Sequence, residues 1–271
     1  MAGSARGSSN RGAGRRVRAV LFDLDDTLYD HTHAARAALS AMRRDDPRLR
    51  RVPFGTLLDR SEAILADVHR SLVLPGRLSR PAARRERIRR LYGTLGVPLG
   101  EAEADRVASL RQAAYAKHVR TVPGAVPLLR ALRRSGRAIG IVSNHRVAEQ
   151  RAKLAATGLD RLVDHLTVSS EVGWTKPDRR IFHAALDRAG CAPAEAVMVG
   201  DAYAADVVGA LDAGLAAVWF NRFGRGRPDR RPGVVELDRL APVAQTLPRI
   251  LAARPALRAA GRHGVSGTGA R

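Results

Sequence analysis

Short apolar runs that alternate with stretches of helical spacing leave this chain few ways to fold. The runs are VRAVLFD from Val17, RAIGIVSN from Arg137, DHLTVSS from Asp164, AVMVGD from Ala196 and LAAVWF from Leu215. Between the last four lie RVAEQRAKLAATG, KPDRRIFHAALDRAG and AADVVGALDAG, each with apolar residues on a helical period. A strand reached through a helix pairs in parallel with the strand before it, because the crossover returns the chain to the same end. Parallel strands bury both faces, which suits runs that are apolar throughout. The pattern predicts an α/β chain: a Rossmann-like parallel sheet with helices on both faces. Gly158 and Gly190 stand where two of the helices should stop, and Pro177 with Asp178 where one should open.

The stretch between the first and second runs breaks this rhythm. HTHAARAALSAMRR, FGTLLDRSEAILADVHRSL, AARRERIRRLYGTLG and EAEADRVASLRQAAYAKHV all have helical spacing and no strand among them. The expected organisation is a catalytic core over 17–30 and 121–255, a helical insertion over 31–120, and basic, disordered tails over 1–16 and 256–271. A chain of 271 residues accommodates one large domain with such an insertion.

The formal charge of +21 is concentrated at the ends: residues 1–18 carry +5 and residues 221–271 carry +8. Basic ends of this kind suit either solvated tails or an electrostatic grip on a polyanion such as nucleic acid. Only Lys117, Lys153 and Lys176 are lysines among 47 basic residues, which points to an arginine-rich coding bias. No apolar window is long enough for a membrane span, and the first residues lack the apolar run of a secretory signal. One cysteine, Cys191, excludes an internal disulfide and fits a reducing cytoplasm.

Polar residues gather where the strands should end, and in an open parallel sheet that edge is where ligands bind. The first run ends in Asp23-Leu24-Asp25-Asp26-Thr27, the second in Ser143-Asn144, and the fourth in Gly200-Asp201 with Asp206 five residues on. Lys176-Pro177-Asp178 precedes a helix. In this order the four stretches resemble the haloacid dehalogenase-like hydrolase superfamily, and within it a phosphatase with an inserted helical cap of the C1 type. The resemblance spans roughly residues 17–220.

What the resemblance implies is a phosphoric monoester hydrolase that uses Mg²⁺ and an aspartyl-phosphate intermediate. Asp23 matches the nucleophile, and Asp25 the acid that protonates the leaving group and then activates water. Asp23, Asp201 and the main-chain carbonyl of Asp25 match the metal ligands, with Asp206 behind them holding a water or Lys176. Ser143, Asn144 and Lys176 match the phosphate-binding groups, and Lys176 also serves Asp23. Asp26 reads as a bystander turned away from the site. Haloacid dehalogenases lack the second carboxylate and need no metal; Asp25 and the Asp201–Asp206 pair argue against that activity. A sugar-phosphate mutase of the same superfamily and a nucleic-acid-binding protein that uses its basic tails stay open as alternatives. The expected partner is a small phosphorylated metabolite, such as a nucleotide or sugar phosphate. His31, His33 and His145 lie near the motifs, but their spacing matches no metal triad.

Overall fold

The computed structural model describes residues 16–73, 76–229 and 231–255. Nearly all of both expected tails therefore lies outside the described residues. The chain divides into two compact units, one from Met1–Leu28 with Val122–Arg271 and the other Tyr29–Thr121.

The first unit is built on a six-stranded parallel sheet. Its strands are β1 (Ala19–Phe22), β2 (Ala138–Ser143), β3 (His165–Val168), β4 (Ala196–Gly200), β5 (Ala216–Phe220) and β6 (Val235–Leu237), in the order β3-β2-β1-β4-β5-β6. The central strand, β1, is buried along its whole length, as its AVLF sequence demands. Its Phe22 lies level with Ile141 on one side and Val199 on the other. The chain leaves β1 toward β2 on one side and later returns to β4 on the other. That reversal opens a crevice at the carboxyl ends of the strands.

In chain order the helices of the whole protein are α1 (His31–Asp45), α2 (Pro47–Arg50), α3 (Phe54–Val68), α4 (Arg80–Gly93), α5 (Glu101–Lys117), α6 (Ala125–Arg134), α7 (Val147–Thr157), α8 (Ser169–Val172), α9 (Arg179–Ala189), α10 (Gly209–Asp212) and α11 (Val243–Ala252). Gly158 ends α7 and Gly190 ends α9, both in left-handed backbone that a side chain would strain. Asp178 caps α9 by accepting a hydrogen bond from the Arg180 N–H. On one face of the sheet Ile181 and Phe182 pack with Leu21, Met198, Val207 and Trp219. Strand β6 escapes the sequence pattern because three residues are too few to show a period.

The second unit comprises α1 to α5 and carries its own apolar core, including Leu39, Leu57, Leu91, Tyr92 and Val107. The long helical stretch after Pro53 continues past α3 through a π-turn, His69–Val73. Tyr92 donates a hydrogen bond of 2.7 Å to Asp46, which caps α2 and pairs with Arg48. No helix among the described residues is long and apolar enough to cross a membrane.

Candidate active site

Strand β1 stops one residue before Asp23. The Asp23 N–H still donates to Val199 at 2.9 Å, so its backbone is fixed as firmly as the strand itself. Beyond it the chain turns: the Leu28 N–H returns to the Leu24 carbonyl, and Leu24 and Leu28 are both fully buried. Asp26 takes φ +59°, uncommon for a residue with a side chain, at the tip of this turn.

Lys176 reaches in from the loop before α9. Its Nζ donates to Asp23 Oδ1 at 2.6 Å and to the Val142 carbonyl at 2.8 Å, and lies 2.7 Å from Asp206 Oδ1. Burial works against the ammonium, but Asp206 and Asp23 outweigh it and hold Lys176 above its ordinary range. Asn144 fixes the loop, since its side-chain amide accepts from the Lys176 N–H at 2.7 Å and donates to the Lys176 carbonyl at 2.9 Å.

Asp206 lies in a π-turn, Tyr203–Val208, and accepts from the Ala202 N–H. Gly200 makes this approach possible, because a Cβ there would overlap the Asp206 carboxylate. The Asp201 carbonyl accepts from Trp219 Nε1 at 3.0 Å. Ligand oxygens of Asp23, Asp201 and Asp206 all lie within 4.8 Å of one another. Burial pushes Asp23 well above the usual carboxylate range. It pushes Asp201 up to about 7, with the charges of Asp206 and Asp26 adding to the effect.

Asp25 is gripped from the other side. Lys153 Nζ donates to both its oxygens at 2.6 Å. Gln150 Nε2 donates to Asp25 Oδ2 at 3.1 Å and to Ser143 Oγ at 2.5 Å. His145 Nε2 stands 3.8 Å from Asp25 Oδ2, while its Nδ1 faces Glu149 at 3.3 Å.

The family model for a haloacid dehalogenase-like hydrolase matches residues 17–214. This chain belongs to that family. The phosphoserine phosphatase of Thermus thermophilus is 34% identical over 248 residues, which span 80% of this chain and 96% of that protein. The pyrimidine 5'-nucleotidase YjjG of Escherichia coli is 43% identical over 109 residues, only 48% of its length and 40% of this chain. Among solved structures, the HAD-hydrolase YfnB of Bacillus subtilis shares the fold with a TM-score of 0.66 at 23% identity, covering 86% of this chain and 99% of that one.

The hydrolase thus gathers Asp23, Lys176, Asp201 and Asp206 at one point, with Asn144 holding the lysine's loop. Asp25 and Ser143 meet through Gln150. Asp206 pairs with Lys176 at 2.7 Å, and one of its oxygens lies within 4.8 Å of ligand oxygens of Asp23 and Asp201. Asp26, read as a bystander, is close enough for its charge to be felt at Asp201. Gln150 and Lys153 are the residues that sequence reasoning missed. Two signals were available: Lys153 is one of only three lysines, and it shares a helix face with Gln150 three residues before it.

The carboxylate group fits a hard divalent cation. Asp23 and Asp206 share the Lys176 ammonium, Asp201 faces Arg225 Nη1 at 3.6 Å, and both Asp23 and Asp201 are still driven toward the protonated form. That is the state of carboxylates short of positive charge, and oxygen-only donors suit Mg²⁺.

Proposed function

We propose that this phosphate monoester hydrolase takes small phosphorylated metabolites and cleaves them with Mg²⁺ through an aspartyl-phosphate on Asp23. The setting of Asp23 carries the reading. One oxygen is held by Lys176, and the other has no hydrogen-bond partner among the described residues. That second oxygen attacks phosphorus, and the bond from phosphorus to the ester oxygen breaks. The Asp25 carboxyl gives its proton to the departing oxygen. Its carboxylate then takes a proton from a water, whose oxygen attacks the phosphoryl group and breaks its bond to Asp23. The Ser143 hydroxyl and the Asn144 backbone N–H donate to the phosphoryl oxygens, and the Lys176 ammonium offsets their charge. Asp23, Asp201 and the Asp25 carbonyl would hold Mg²⁺, which would supply positive charge between the carboxylate and the phosphate.

In this reading the helical unit is a cap that selects the substrate. The relatives named above handle a nucleotide and an amino-acid phosphate with one family of cores, so the alcohol part must be read elsewhere. The free thiol of Cys191 suits a cytoplasmic enzyme. Phosphate release from an aryl phosphate at pH 7, with Mg²⁺ or with chelator, tests the reading. Wild-type release should need Mg²⁺, and Asp23→Asn should lose it. Equal release by both proteins refutes Asp23 as nucleophile.

A further inference from the structure

We infer that Gln150 and Lys153 are positioning residues, a two-pronged clamp that aims the Asp25 side chain and the hydroxyl of Ser143 at opposite ends of the reacting group. The inference rests on the reading of Asp25 as acid and base. Asp25 lies beyond the end of β1, next to a residue in left-handed backbone. Helix α7 grips its carboxylate. It begins four residues after Ser143 and turns Gln150 and Lys153 to the same side. Lys153 takes both carboxylate oxygens at 2.6 Å, and Gln150 takes one of them at 3.1 Å.

The same Gln150 amide donates to Ser143 Oγ at 2.5 Å. Because that hydroxyl accepts from Gln150, its own proton stays available for a phosphoryl oxygen. One helix therefore sets the group that faces the phosphoryl oxygens and the group that faces the leaving oxygen. Spacing between the two is held at the helix's fixed rise, which matters because reacting groups misplaced by about 1 Å lose on the order of 10²-fold in rate.

A plain surface ion pair does not account for this arrangement. Gln150 is 0% exposed, and its Oε1 is buried without a hydrogen-bond partner among the described residues. An unsatisfied buried carbonyl weakens a fold, so its retention is understandable where its amide is committed to Asp25 and Ser143. Lys153 is also shielded, with 17% of its side chain exposed.

First-turnover kinetics with phenyl phosphate and para-nitrophenyl phosphate, both with Mg²⁺, test the clamp. Phenol needs a proton as it leaves, whereas nitrophenol departs readily as an anion. In Lys153→Met, phenol release should fall on the order of 10²-fold and nitrophenol release by less than about threefold. Lys153→Arg should recover most of the phenol rate, and the size of the nitrophenol burst counts correctly folded sites. Equal losses on the two esters, or no loss on either, overturns the clamp. Asp25→Asn, run beside it, separates the failures. If Asp25→Asn spares phenol release, the acid role of Asp25 falls and the clamp with it. If Asp25→Asn is crippled while Lys153→Met is not, only the clamp falls.

Discussion

Asp201 should make the metal-free protein less stable as the pH rises, and Asp201→Asn should remove that loss. Its carboxyl is shifted from an ordinary 3.8 to about 7, chiefly by burial. A raised folded-state value means that the folded chain binds this proton more tightly than the unfolded chain does. The stabilisation is therefore complete below about pH 4 and fades as the pH climbs to about 7. A shift of some three units corresponds to about 4 kcal/mol, or about 1.4 kcal/mol for each pH unit crossed. Asp23 moves in the same direction, so the wild-type slope is at least that of one group. Denaturant unfolding in chelator, followed by tryptophan fluorescence from pH 4 to 8, measures it. Both tryptophans, Trp174 and Trp219, belong to the sheet-bearing unit, so the signal reports that unit alone. Wild type should lose several kcal/mol relative to Asp201→Asn across this range. Mg²⁺ at a hundredfold excess over its dissociation constant should restore about 2.7 kcal/mol at pH 8. Parallel pH profiles for the two proteins in chelator would refute the electrostatic account of the cluster.

Lys176→Met leaves Asp23 and Asp206 without their shared ammonium, which should cost about 3–5 kcal/mol in the same unfolding assay and abolish turnover. A cost below about 1 kcal/mol would mean that the acids are neutral already. Gly200→Ala pushes a methyl group into the Asp206 carboxylate. Overpacking there should cost about 1–3 kcal/mol, whereas Gly93→Ala, where a Cβ meets nothing within 4 Å, should be neutral or stabilising.

The sequence by itself determined five of the six strands and the polar residues at their ends. Continuous apolar runs can be satisfied only by burial on both faces, and the helices between them force parallel pairing. It also marked the starts and stops of α7 and α9, because Gly158, Asp178 and Gly190 act locally, within one turn of chain. The acids at the strand ends stood out for the same reason: three carboxylates cannot follow a buried strand without a purpose. What the tertiary structure decided is who meets whom. Lys176 lies 153 residues from Asp23, and Lys153 lies 128 from Asp25. No local rule gives such pairs; they follow from which strands are neighbours and where each helix turns its face. The same holds for Asp206, which reaches the cluster only because a π-turn and the missing side chain of Gly200 let it in. Residue types set the chemistry that is available, and packing chose the partners, because a buried charge tolerates no other arrangement.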